Sequence, residues 1–406
     1  MEFHPLIPRK NWRDEWKRLG YSVELLNKYW IEDADQPFCV SFKRAEIEDV
    51  LIPATRELNE MVLKLVDDIC NCSHSDQLLD RMRVPIFFRE AVRKSWQRRD
   101  DSIYGRFDFA YNGHSIKLLE INFDSPIMIL ETAVLQKRWC DEAKDQALIP
   151  EGVTQFNRVG ENLIDAFQKY CKSTEKIHFS SFYSAEDEQA ALYIQSKAKS
   201  AGFDVVFGHA DRFGIDESGG LIDAADTRVT QLFKLYPWTV LQEEDETIKK
   251  NVGKFVFTEM VESGRVRFFE PAWKFLASSK ATLALLWEMA PKNKFLLETH
   301  IADGTNASEL LKDKAHVKKP IFGRGGESVS IVFPDQPQQS ELVAGDYYGA
   351  EGFVVQEYTP LPIYMGHYVV VGSWVVNGKP SGVGIRADRS RITGDGALFV
   401  PHYVID

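Results

Sequence analysis

The sequence predicts a mixed α/β fold of the α+β type, and three features predict it. Helical apolar spacing and strand-like alternation both recur along the 406 residues, mixed and not strictly alternating. Hydrophobic residues make up 44% and aromatics 12%, enough to fill a sizeable core. A β-α-β rhythm opens near residue 176 and gives way to strand pieces around a Gly-rich turn. The length suits one large interwoven unit or two to three subdomains.

The elements follow in order. Glu46 to Cys70 carries helical spacing, with an interruption expected at Pro53. Asp76 to Arg83 reads as a short helix, Phe107 to Asn122 as two strands around Asn112-Gly113, and Glu161 to Lys172 as a helix. Lys176 to Phe182 is strand-like, Glu186 to Ala201 helical and Phe203 to Phe207 strand-like, with Gly202 where a helix stop belongs. Thr282 to Met289 is helical, and Val317 to Val332 holds strand pieces. Gly352 to Gln356, Tyr368 to Val376 and Gly382 to Arg386 read as strands.

Charge and cysteine usage narrow the function classes. A formal net charge of -11 argues against a nucleic-acid or membrane-surface partner, yet leaves room for a local basic cleft. Met1 to Arg13 has no apolar run and carries Pro5 and Pro8, unlike a signal peptide. No window approaches a membrane-spanning apolar run. Cys39, Cys70, Cys72, Cys140 and Cys171 are odd in number and scattered, with no CxxC pair. They read as reduced thiols in a cytoplasmic setting.

The segment from Arg106 to Asn122 is the most informative. Arg106, Asp108 and Ala110 share one strand face; Leu118, Glu120 and Asn122 share another. Charges in the middle of apolar strands are costly unless paired, and a hard cation such as Mg²⁺ would pair with these oxygens. An ordinary hairpin with solvent-facing carboxylates is the alternative. A two-residue Asn-Gly turn would pair Asp108 with Lys117. Pairing Asp108 with Glu120 and Arg106 with Asn122 instead puts Tyr111 opposite Lys117, and needs a longer loop or a bulge around Asn112 to Ile116. The obvious type I′ hairpin is therefore not expected.

A second constellation lies far downstream. Lys319 precedes Gly323-Arg324-Gly325-Gly326-Glu327. Glycines let backbone N–H groups approach phosphate oxygens, and a lysine supplies a point charge. GxxxxGK[ST] is absent, so this is no Walker loop. Gln356, Glu357 and Tyr358 end an apolar strand, Arg386 follows Gly382-Val383-Gly384, and Lys280 precedes an apolar helix. Taken singly, each is as well explained by an ordinary turn or surface side chain.

Together these segments resemble the glutathionylspermidine synthase family. The resemblance rests on RFDFAYNGHSIKLLEINFDSP, SAEDEQAALYIQSKAKSAGF, LFKLYPW, SSKATLALLWEMAPKNKFLLET, KKPIFGRGGESV and GIRAD, in that order. It implies an ATP-grasp fold, circularly permuted because the metal ligands precede the lysines, with a small inserted α/β module. The implied organisation is 1–150 for the N-terminal helical region and metal-binding strands, 151–275 for the substrate module, 276–350 for the lid with its Gly-rich loop, and 351–406 for the rest of the core. No amidase segment is expected ahead of it.

The implied activity is ATP- and Mg²⁺-dependent joining of a carboxylate to an amine, a polyamine among the candidates, through an acyl phosphate. Asp108, Glu120 and Asn122 match metal ligands, and Lys280 and Lys319 the nucleotide-phosphate lysines. Gly323, Arg324, Gly325 and Gly326 match the flexible loop, and Gln356, Glu357 and Tyr358 the adenine hinge. Arg106 and Arg386 match catalytic arginines. Ser125, Glu186 and Asp187 match substrate contacts. Thr239 and Val370 depart from the family pattern, which has an acidic residue and a glutamine there. A small-molecule kinase and a silent nucleotide-binding protein are the competing readings. Glu186, Asp187 and the acidic run Glu243, Glu244 and Asp245 read either as attractors for a polyamine or as a solvated face.

Overall fold

The computed structural model describes residues 1–18, 22, 25, 28–171, 176–302, 309 and 311–406. Tyr104–Tyr111 and Ile116–Asn122 form an antiparallel hairpin. Every residue of Tyr104–Tyr111 is buried, so Phe107, Phe109 and Tyr111 on one face can join the main core beside Leu58 and Val62 of the helix Ile52–Asn71. Late strands extend the hairpin into a six-stranded antiparallel sheet. Its order is Leu398–Val400, Lys379–Asp388, His367–Val376, Tyr104–Tyr111, Ile116–Asn122, with Ile363–Tyr364 added beside His367–Val376.

A second antiparallel sheet runs Thr299–Ala302, Phe353–Glu357, His316–Pro320, Ser330–Val332, Glu341–Leu342. A third is parallel, ordered Arg267–Phe269, Gln231–Leu235, Ile177–Ser181, Val205–His209. Helices Val159–Tyr170 and Ala185–Ser200 share its core through Leu163, Phe167, Ala191 and Ile194. The strand order reverses between Ile177–Ser181 and Gln231–Leu235, and a crevice at the carboxyl ends of such strands is the usual ligand position. Glu2–Pro5, Phe38–Lys43 and His402–Ile405 make a small sheet that ties the two ends of the chain together.

The expected break at Pro53 does not occur. A π turn over Glu46–Leu51 runs into Ile52–Asn71 with helical dihedrals at Leu51, φ −68° and ψ −46°. Pro53 falls in the first α turn, where a missing N–H forfeits little. The helix read over Asp76 to Arg83 spans Ser75–Arg81, and that over Glu161 to Lys172 spans Val159–Tyr170; Lys172 lies outside the described residues. The strands of the three-stranded sheet have no counterpart in the reading of the sequence. No described helix is long and apolar enough to cross a membrane.

Candidate active site

The hairpin pairs Arg106 with Asn122 and Asp108 with Glu120, so the obvious two-residue turn is not used. Two devices set that register. The loop 112–115 holds four residues, closed by Asn112 N–H to Ser115 O at 3.3 Å and by the Asn112 carboxamide oxygen accepting from the His114 and Ser115 N–H groups. Beyond the Asp108–Glu120 pair the register slips at Leu119, so that Phe109 faces Leu118. The longer loop expected around Asn112 to Ile116 is present, and a bulge at Leu119 adds to it, so that Tyr111 faces Ile116 instead of Lys117. A bulge frees a ladder carbonyl; here Leu119 O accepts from Lys319 Nζ at 2.9 Å.

Asp108, 2% exposed, is the hub. Its oxygens accept from Arg106 Nε at 2.7 Å, Asn122 Nδ2 at 2.8 Å and an Arg386 amino group at 2.6 Å. Burial works to raise its carboxyl, but Arg106 and Arg386 prevail and hold it below the ordinary carboxylate range. Arg106 also donates to Ile127 O at 2.7 Å and lies over the Trp374 ring, 5.4 Å from its centroid. Gly372 makes room for it: it pairs with both Asp108 and Gly384, and a Cβ on Gly372 would lie 2.9 Å from Arg106 Cδ.

Glu120 is more open, its side chain 30% exposed, and pairs with Lys280 Nζ at 2.8 Å. Burial opposes its charge, but Lys280 and Lys319 together prevail over burial and the repulsion of Asp108, and the carboxyl sits below its ordinary value. Lys280 stands at the start of Ala281–Met289 and donates from Nζ to Gly323 O at 3.0 Å, touching the Gly-rich turn. Lys319 donates to the Gln356 carboxamide oxygen at 2.7 Å. Burial pulls its ammonium down to about 8 against the pull of Glu120. Four cations, Arg106, Lys280, Lys319 and Arg386, thus face two carboxylates, Asp108 and Glu120.

All these groups line one open cleft of about 950 Å³. Gln356, Glu357 and Tyr358 lie in its wall, as do Gly323 to Glu327. Ser125, Glu186 and Asp187 lie in it too, with Ser184 accepting from Asp187 N–H at the start of Ala185–Ser200. Burial, then Asp187 and Asp395, raises the Glu186 carboxyl; burial raises Asp187, with Arg324 pulling it back. The crevice of the parallel sheet therefore opens into the same cleft. Thr239 and Val370 line it as well.

Sequence reasoning missed several cleft residues. Asp395 lies against the Gly-rich turn, since a Cβ on Gly325 (φ +58°) would fall 2.4 Å from Asp395 Oδ1. Its Thr393-Gly394-Asp395-Gly396 setting is a turn signal that could have drawn attention to it. Glu243, from the acidic run, lines the cleft, whereas Asp245 is buried and caps Val256–Ser263, accepting from Phe257 and Thr258 N–H at 2.9 and 2.8 Å. Asp245 is thus neither solvated nor offered to an amine. Asp124 joins the cleft floor, held by Lys234 Nζ at 2.7 Å and Trp238 N–H at 2.6 Å. None of the five cysteines lines the cleft. Burial pushes the Cys39 and Cys70 thiols up to about 12 and Cys140 up to about 11.

The chain is similar to several known proteins. The sequence model described as "Glutathionylspermidine synthase preATP-grasp" matches residues 4–405. A Haemophilus influenzae protein named "Putative acid--amine ligase" is 31% identical over 392 residues, covering 93% of this chain and 91% of that protein. Trypanothione synthetase of Crithidia fasciculata and the bifunctional glutathionylspermidine synthetase/amidase of Escherichia coli are each 26% identical, over 83% and 85% of this chain. The chain spans about half of their lengths, 52% and 56%. The apo structure of a glutathione synthetase-like effector from Globodera pallida superposes with a TM-score of 0.51 over 90% of this chain and 89% of that one. At 11% identity, what the two share is the fold. With a match that runs nearly end to end, this chain belongs to the glutathionylspermidine synthase preATP-grasp family.

Proposed function

We propose that the protein is an ATP- and Mg²⁺-dependent ligase that joins a carboxylate to an amine through an acyl phosphate, on a permuted ATP-grasp core. One observation carries the reading: at the hairpin end of the cleft, Arg106, Lys280, Lys319 and Arg386 gather around two carboxylates, Asp108 and Glu120, a local surplus of cations. A surplus of largely desolvated positive charge is costly without an anion, and a nucleotide triphosphate is a fitting one. The family membership and the acid–amine ligase and synthetase names of the relatives support the same activity. Metal-binding strands that precede the phosphate lysines, and pair with strands from the end of the chain, support the permuted order.

The donor set fits a hard divalent cation. Asp108, Glu120 and Asn122 would hold Mg²⁺ through oxygens, with phosphate and water completing the shell. Among the described residues, no three His, Cys, Asp or Glu side chains converge on one point, which suits an ion held partly by its substrate. When bound, Mg²⁺ neutralises phosphate charge and aligns the γ-phosphoryl group with its acceptor. Lys280 and Lys319 grip the phosphates, and the Gly-rich turn lays its N–H groups over them. Gln356 to Tyr358 meet the adenine. Arg106 and Arg386, held by Asp108, stabilise the oxyanion formed when the amine attacks the acyl phosphate; such a donor is worth on the order of 10²–10³ in rate. Closure of the Gly-rich loop keeps water from the acyl phosphate. Ser125, Glu186 and Asp187 contact the acid and amine.

ADP release with Mg²⁺ across a panel of acids and amines tests this. ADP formation that needs both partners, with amide product, is expected. Full-rate ADP release with an acid alone and a stable acyl phosphate would make the protein a kinase; tight ATP binding without turnover would make it a silent binder.

A further inference from the structure

Under the cleft floor lie four buried charges, Asp124, Lys234, Glu270 and Lys274, that the reaction above does not use. None has a side chain more than 7% exposed. They form two ion pairs, Lys234 Nζ to Asp124 at 2.7 Å and Lys274 Nζ to Glu270 at 3.4 Å. Burial lowers both ammoniums; Asp124 and Glu270 each pull on both of them in the other direction. Apolar residues of the same volume often hold a core as well as a buried ion pair does, so stability alone does not account for these.

The charges join two parts of the fold. Lys234 belongs to Gln231–Leu235 of the parallel sheet, and Glu270 follows Arg267–Phe269 directly. Asp124 stands two residues beyond Ile116–Asn122. Glu270 accepts from the Ile103 and Tyr104 N–H groups at 2.9 and 3.1 Å, where Tyr104–Tyr111 begins. Lys274 donates to Tyr104 O at 3.1 Å and lies over the Phe123 ring, 4.1 Å from its centroid. Both hairpin strands are thus gripped at the end that carries Arg106 and Asn122. Residues 123–127 are pinned along their length. Phe123 N–H donates to Ser278 Oγ at 3.2 Å, Pro126 O accepts from the Tyr104 hydroxyl at 3.2 Å, and Ile127 O accepts from Arg106 at 2.7 Å. Asp124 takes Lys234 on one oxygen and Trp238 N–H on the other, which also sets the start of Trp238–Val252 and its cleft residues Thr239 and Glu243. Lys234 does not line the cleft; its ammonium is committed to Asp124, to Tyr236 O at 2.9 Å and to the Trp238 ring at 4.6 Å.

We infer that Lys234 is a positioning residue. Through Asp124 it ties residues 123–127, and with them Asn122 and Ser125, to the parallel sheet, so that the metal end of the cleft and the crevice of that sheet keep one geometry. The roles of Asn122 and Ser125 rest on the ligase reading; the tie between the two sheets does not.

Lys234→Met and the double variant Lys234→Met/Asp124→Asn, in the full chain, test it. The single variant strands a buried carboxylate and should melt well below wild type. The double variant strands no charge and keeps an oxygen for Trp238 N–H, so its melting temperature should return close to that of wild type. The tie is still cut in it. Mg²⁺-dependent binding of a non-hydrolysable ATP analogue, read by calorimetry, should therefore stay about 10–100-fold weaker, the scale of a lost support behind a metal ligand, and kcat should stay down by a similar factor. Binding of the analogue without Mg²⁺ should match wild type. Wild-type Mg²⁺-dependent binding in the double variant overturns the proposal, as does equal weakening with and without Mg²⁺. A double variant that melts as low as the single one overturns it too, since the pair then serves the fold alone. Turnover is read separately: weakened Mg²⁺-dependent binding in the double variant, beside amine-independent ADP release by wild type, would sink the ligase reading and keep the tie.

Discussion

Asp108 and Glu120 face each other across one hairpin, yet their surroundings differ. Asp108 is enclosed and bound by three side chains, whereas Glu120 is partly open and bound by Lys280. Glu120→Gln should therefore cut kcat/KM by on the order of 10²–10³ with little change in stability. Asp108→Asn should cost similar activity and, by stranding the buried Arg106 and the half-buried Arg386 guanidiniums, about 3 kcal/mol of stability as well. Denaturant titration beside ADP assays separates the two; near-normal activity in either variant would end the metal assignment. Lys319 gives the pH dependence. Its ammonium sits at about 8 in the empty protein, and a bound phosphate raises it, so binding above that pH must take up a proton. The Kd of a non-hydrolysable ATP analogue should be flat below about pH 8 and rise by up to about tenfold per unit above it. A Kd flat through that range would remove Lys319 from the phosphates. At this scale the sequence was informative, because charges in apolar strands have few cheap explanations. Asp395 was passed over: its Gly-flanked turn is a local signal, but the Gly-rich turn it lies against comes from elsewhere in the chain.

Strands place these side chains, and the strand His367–Val376 does most of the placing. Gly372 sits between Asp108 and Gly384, and an added Cβ would meet Arg106 Cδ at 2.9 Å, Gly384 O at 3.1 Å and Asp108 Oδ1 at 3.3 Å. Backbone and a locked side chain cannot both give way. Gly372→Ala should thus cost about 1–3 kcal/mol of stability and a larger share of kcat, since Arg106 is displaced. Unchanged kcat would mean that Arg106 need not hold its position. The long periodic elements were legible: the β-α-β unit around Ala185–Ser200 appears within about two residues of its reading. The bulge at Leu119 was not, because register depends on what the second strand must face, here Lys319 arriving 200 positions later. The small sheet joining Glu2–Pro5, Phe38–Lys43 and His402–Ile405 was missed for the same reason, as its pairing spans the whole chain.

The whole molecule is arranged so that one ligand touches several layers. The cleft takes Asp108 and Arg386 from the six-stranded sheet, Lys319 and Gln356 from the five-stranded one, and Glu186 from the edge of the parallel sheet's crevice. Behind it, the main core cluster runs from Leu6 to Val404, so the two ends of the chain share one interior, and the parallel sheet's own core is joined to the six-stranded sheet through Tyr104, Trp374 and Val376. Such a core should unfold in one transition that no layer can leave separately. A nucleotide seated across the layers then stabilises all of them together, by about 2.7 kcal/mol at a hundredfold excess over Kd. For a chain of 406 residues that shifts melting by about 3 °C. The expected outcome is one calorimetric transition, moved upward by the ATP analogue only when Mg²⁺ is present and unmoved in Lys319→Met. Two transitions, of which the analogue moves one, would mean that the nucleotide grips a single layer. Catalysis would then need a closing motion to bring the others in, and the cations around Asp108 and Glu120 would no longer be held by a shared fold.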